Sequence, residues 1–182
     1  MRNDKEPQIH ELVSSIPEKE KFNMMSKNWL SHDARWQIGS VMFLGWDKAN
    51  KLNQDVTKQI GKILMFRLMN ALNISQVNNF HELMLLLGTA IYLNFSVNPS
   101  NWQMEIFSNE LCKVEIEKCL TFENIKRAGA IGNYDCACFA LREGFFDALN
   151  LQVEQSCQKS LMKGDDKCEI CLKIKNWNKN NN

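Results

Sequence analysis

The sequence predicts an α+β fold, with N-terminal helices packed on a small antiparallel sheet of two hairpins. Two changes along the chain predict it. Apolar residues recur every three or four positions through most of residues 31–98, the period of a helix. After Ser100 they recur every second position, the period of a strand with one buried face. The composition fits one such domain: 182 residues, 45% apolar, and 24% charged, which excludes general disorder.

Residues 1–30 read as a polar lead with a short helix, Pro7 to Ile16, ended at Pro17. Residues 31–98 form the helical layer. Ser31-His32-Asp33 is a start signal, because Ser31 or Asp33 can accept bonds from the free N–H groups of a first turn. The helix from Ala34 to about Asn53 carries Trp36, Ile38, Val41, Phe43 and Trp46 on more than one face, so it is expected to be largely buried. Asn53 and Asp55 mark a stop and a new cap, and Val56, Ile60, Ile63, Leu64, Leu68 and Leu72 continue at helical spacing. Asn73 and Ser75 repeat that pattern before a helix bearing Phe80, Leu83, Met84, Leu87 and Ile91, which ends near Asn98-Pro99-Ser100.

Residues 99–176 form a cysteine-rich α+β half of the same domain. Trp102, Met104 and Ile106, then Cys112, Val114 and Ile116, alternate with polar residues around a turn at Ser108-Asn109-Glu110. A short helix, Phe122 to Ala128, and a second helix over 134–149 follow. The closing hairpin turns at Gly164-Asp165-Asp166; Cys168, Ile170, Leu172 and Ile174 share its apolar face, with Val153, Cys157 and Leu161 on the arriving strand. Residues 177–182 read as a disordered tail.

The 22 basic and 21 acidic residues leave a net charge of +1 with no basic stripe, which argues against a nucleic-acid partner. The longest apolar stretch, about Leu83 to Leu93, is shorter than the roughly 20 residues that cross a bilayer. No apolar run follows Met1 to Pro7, so a secretory signal is not expected and the expected location is cytoplasmic. The expected partner is a small molecule, with a homodimer allowed.

Seven cysteines are many for such a chain, and without a secretory signal a disulfide framework is disfavoured. Metal binding, redox chemistry and plain core filling remain. Cys168 and Cys171 have CxxC spacing, but three residues apart on a strand they point to opposite faces, so they do not chelate together there. Cys157 and Cys168 fit better, one on each strand of the last hairpin and on the same inward face. Cys138, from the preceding helix, could complete three ligands of a zinc site, and Glu154 a fourth, given a bulge or a helical end at 154–157. Cys136 is the alternative to Cys138, since two apart on a helix they diverge by about 200°. Cys112 is expected to pack in the first hairpin; Cys119, at its end, could reach a site, with packing the favoured expectation.

Glu154-Gln-Ser-Cys157 followed by Gly164-Asp-Asp-Lys-Cys168 resembles the close of the 4-vinyl-reductase-like ligand-binding domains. That resemblance implies a zinc ion on Cys138, Glu154, Cys157 and Cys168, beside a pocket for a small, often aromatic, ligand. Trp29-Leu-Ser-His-Asp-Ala-Arg-Trp36, with Ala49, Asn50, Cys119, Cys136 and Gly164-Asp-Asp-Lys-Cys168, is similar to an uncharacterised prokaryotic family related to the L-2-amino-thiazoline-4-carboxylic acid hydrolases. That likeness implies fold and site position more than chemistry. It draws attention to His32 and Asp33 as a general base and its orienting partner, to Arg35 as a carboxylate anchor, and to Trp36, with Trp29 and Trp46, as a pocket wall.

Two functions are therefore expected to compete. One is a zinc-containing small-molecule-binding protein with a structural cysteine site. The other is a hydrolase acting on a small cyclic amide or thiazoline-like substrate. Whether the chain is an enzyme is left open by the sequence.

Overall fold

A computed structural model of the chain describes residues 6–95 and 101–177. Its elements run α1 (Glu6–Ser14), α2 (Glu18–Leu44), α3 (Trp46–Leu72), α4 (Phe80–Phe95), β1 (Trp102–Ile106), β2 (Leu111–Ile116), α5 (Leu120–Arg127), α6 (Cys138–Ala148), β3 (Gln152–Lys159) and β4 (Cys168–Asn176). The predicted α+β class, helices against a small antiparallel sheet, is the class observed.

The helical half is cut at different places from those expected. Ser31, His32 and Asp33 lie inside α2, and Asn53 and Asp55 lie inside α3, so neither group caps a helix. The break falls at Gly45, where φ is +74° and ψ 168°, a conformation open to glycine and strained for other residues. Polar residues that look like caps in the sequence are satisfied by distant partners instead: Asn53 Nδ2 donates to the Tyr134 hydroxyl at 3.4 Å. The stop at Asn73 is real; it takes the left-handed conformation with φ +54°. Nor is α2 largely buried. Ser26 is its buried residue, whereas Trp36, Met42 and Phe43 are exposed.

Helix α4 starts at a reciprocal cap. Asn79 Oδ1 accepts from the Glu82 N–H at 2.9 Å, and Glu82 Oε1 accepts from Asn79 Nδ2 at 2.8 Å. Its buried face carries Phe80, Leu83, Met84, Leu86, Leu87 and Ala90. The expected helix end near Asn98 to Ser100 lies outside the described residues.

The sheet has the order β1-β2-β4-β3, antiparallel throughout. Cys112, Val114, Ile170, Leu172 and Ile174 face the helices and join one core with Met65, Leu68, Phe80, Leu83, Phe145, Phe146 and Leu149. The other face carries ion pairs such as Lys113–Glu105, Lys167–Glu115 and Lys175–Glu154. Helices α3 and α6 pack at very short range. A Cβ on Gly61 would collide with the Leu141 carbonyl, and one on Gly144 with the backbone of Lys58 and Lys62. Lys58 bridges the same pair of helices to Glu143 at 3.4 Å and Asp147 at 3.2 Å.

Trp177 corrects the boundary placed on the tail. Its Nε1 donates to the Asn109 carbonyl at 2.6 Å and its ring meets Phe80 edge-on at 5.1 Å. Residues 178–182 of the expected tail lie outside the described residues.

Candidate functional site

Between α2, α4, α5, α6 and the inner face of the sheet lies a cavity of about 290 Å³. Its walls are mostly apolar: Leu30 and Ile38 from α2, Met84, Leu87 and Ile91 from α4, Trp102, Val114, Ile170 and Leu172 from the sheet, with Trp46 from α3. One part of the wall is polar and holds Cys119, Tyr134, Cys138 and Arg142. Asp33 and Lys118, both solvent-accessible, are the other charged residues that line it.

Three separate pieces of chain build the polar part. Cys119 sits at the N-cap position of α5, beside the free amides of its first turn. Cys136 ends the loop before α6, and Cys138 is the first residue of that helix. Asn50 fastens this loop to α3 by donating to the Asn133 carbonyl at 2.7 Å. The Cys138 sulfur lies within hydrogen-bonding reach of both Cys119 and Cys136. The neighbouring Cys138 thiol, with the amides of the first turn of α5, lowers the Cys119 thiol to about 6. The neighbouring Cys138 likewise lowers Cys136 to about 7, and Cys138, flanked by these two sulfurs and buried, is held well above the ordinary thiol value.

Arg142 follows Cys138 by four residues, so the two share one face of α6. Its Nε donates to Gln155 Oε1 at 2.7 Å, and Gln155 Nε2 donates in turn to the Phe139 carbonyl at 3.2 Å. The guanidinium lies over the Phe139 ring, 4.7 Å from its centre. Burial lowers its pKa, while the sulfurs of Cys138, Cys136, Cys157 and Cys168 oppose that shift.

The sequence-derived candidates fall in different places. Cys138 is in the cavity wall. Cys157 and Cys168 do share the inner face of the last hairpin, but each sulfur is engaged locally: Cys157 Sγ donates to the Lys159 carbonyl at 3.0 Å, and Cys168 Sγ accepts from the Leu161 N–H at 3.4 Å. Glu154 is not brought to them. The pairing of β3 with β4 is regular from Glu154 to Cys157, with no bulge between, so Glu154 faces outward beside Lys175. Cys136 is no substitute for Cys138; the loop geometry at 135–137 puts both sulfurs in one cluster. Among the described residues no three His, Cys, Asp or Glu side chains are arranged around a metal position.

On α2, His32 stacks between Trp29 and Trp36 on the exposed side of the helix, at 6.2 and 6.5 Å. Arg35 is also exposed and donates to the Ser31 carbonyl at 3.0 Å. Neither His32, Arg35 nor Trp36 lines the cavity; Asp33 and Trp46 do. Although Asp33 keeps solvent contact, desolvation raises its carboxyl pKa, with His32 opposing. The residues that sequence reasoning missed are Tyr134 and Arg142; Cys119, expected rather to pack, is at the site. The four-residue spacing of Cys138 and Arg142 was the available signal for the last.

No protein-family model and no curated protein sequence matches the chain. Among solved structures, the chain is similar to a trafficking protein particle complex subunit 3 from Naegleria fowleri covalently bound to palmitic acid. The TM-score is 0.57 at 16% identity, covering 88% of this chain and 98% of that one. At that identity the likeness is one of fold alone. An H-NOX protein from S. oneidensis in the Fe(II)NO ligation state gives a TM-score of 0.42 at 19% identity, over 71% of each chain.

Proposed function

We propose that this chain is a small-molecule-binding protein and that its ligand occupies the cavity between the helices and the sheet. The observation that carries this reading is the cavity itself: about 290 Å³, apolar on most sides, with a few convergent polar groups on one. The similar trafficking-complex subunit, covalently bound to palmitic acid, lends support to a small-molecule reading. Trp46 and Trp102 line the cavity, so an occupant should change their fluorescence. Titration with 1-octanol is expected to give a saturable change with one site per chain, abolished by Val114→Phe, which fills the space. A linear, non-saturating response in the wild type would count against ligand binding here.

A second reading keeps zinc on the thiols: Cys138 lies near Cys119 and Cys136, with Cys168 within electrostatic reach, and binding would have to draw these sulfurs into a tetrahedron that they do not form here. Four thiolates on a zinc ion carry a net negative charge, which the nearby Arg142 would offset. In this reading zinc would hold α5, α6 and β4 together rather than act on a substrate. Elemental analysis of the purified protein should then give one zinc per chain, lost in Cys136→Ser and Cys138→Ser. Protein that neither contains nor takes up zinc would end this reading. For the hydrolase alternative, only Asp33 of the proposed pair stands at the cavity.

A further inference from the structure

We propose that the cavity takes a small apolar molecule with one anionic end, a carboxylate, and that Arg142 is the group that receives it. This rests on the reading of the cavity as ligand space and adds the class of ligand.

The guanidinium stays charged under all ordinary conditions, and its fork of five N–H donors suits a carboxylate in a two-point contact. The groups in direct contact with it are neutral: the Gln155 carbonyl oxygen at Nε and the Phe139 ring against its face. Nη2 is sealed from solvent and has no hydrogen-bond partner. None of the ion pairs formed among the described residues includes Arg142. A guanidinium whose direct contacts are neutral and whose Nη2 makes no bond is poorly satisfied, so a hydrogen-bonding partner of opposite charge has much to gain there. Cys119 and Cys136, at about 6 and about 7, bring negative charge close by at neutral pH, yet no thiol accepts a bond from Nη2. Arg142 does line the cavity, which is otherwise apolar on most sides. An apolar body with one carboxylate is therefore the chemistry that completes both parts of the wall. At roughly 30 Å³ per non-hydrogen atom, about ten such atoms fill the space, which octanoate matches.

The test is calorimetric titration of reduced, chelator-treated protein with octanoate and with 1-octanol, in the wild type, Arg142→Gln and Arg142→Lys, each checked for a cooperative thermal transition. Octanoate should bind the wild type at least about tenfold more tightly than 1-octanol. The preference should vanish in Arg142→Gln and shrink in Arg142→Lys, which keeps the charge and loses the fork. If Arg142→Gln does not fold, the wild-type preference and its reduction in Arg142→Lys decide the matter. Equal binding of the two ligands to the wild type would overturn the anion proposal and leave the cavity reading standing. Binding of neither would overturn the cavity reading itself. An unchanged preference in both variants would remove Arg142 from the role.

Discussion

At the scale of residues, the site is a set of thiols whose protons are unequally held. Cys119 lies beside the N-terminal amides of α5 and the Cys138 thiol, and its thiol pKa falls to about 6. Removing that neighbour in Cys138→Ala should move that value back up. Alkylation rate against pH, followed at Cys119 by mass spectrometry, is the measurement, and an unchanged midpoint would contradict that coupling. The same shift has a consequence for stability. A group whose folded pKa is depressed adds stability above its unfolded value, near 9.0, and loses it as pH falls towards about 6. Cys138 and Cys112 act in the other direction, since their raised pKa values favour the neutral thiol; their contribution holds below about 9.0 and is lost above it. Urea midpoints of the reduced, metal-free protein should therefore rise from pH 6 to 8 and decline above pH 9, and Cys119→Ser should flatten the lower limb. Strand alternation made the inward face of Cys157 and Cys168 legible in the sequence. The meeting of Cys119, Cys136 and Cys138 was not, because a loop and two helix starts bring them together and no fixed spacing encodes that.

At the scale of elements, the strands and the shorter helices were readable because each has one wet face and one dry face. The charged outer positions Lys113, Glu115, Lys173 and Lys175 mark the sheet as plainly as its apolar ones. The long helices were harder. Cap-type residues within them bond across the fold, as Asn53 does to Tyr134, and the true break rests on Gly45 alone. Gly45→Ala should cost about 2 kcal/mol, the range for a side chain forced into that backbone conformation. Gly144→Ala should cost about 3 kcal/mol or more, because α6 cannot retreat from α3 without disturbing Phe145 and Phe146 in the core. Urea denaturation checks both, and a Gly144→Ala protein as stable as the wild type would contradict the close helix contact.

At the scale of the whole molecule, one core joins the helical layer to the sheet, and the cavity is space that this core leaves open beside α2. Among the described residues no helix is long and apolar enough to cross a membrane. Because a cavity ligand binds the folded chain and not the unfolded one, occupancy should be visible as stability. Octanoate at about a hundredfold its Kd should add about 2.7 kcal/mol, which corresponds to a rise in Tm of roughly 5–10 °C for a chain of this size. Differential scanning calorimetry reads it, and the rise should disappear in Val114→Phe.

The most direct measurement locates the ligand. In a methyl-labelled sample titrated with octanoate, saturable NMR shifts are predicted at Met84, Leu87, Ile91, Ile170 and Leu172, the methyl groups that line the cavity, with Met42 and Ile63, exposed on α2 and α3, unmoved. Shifts at the exposed methyls without any at the cavity, or no saturable shifts at all, would contradict a ligand held between the helices and the sheet.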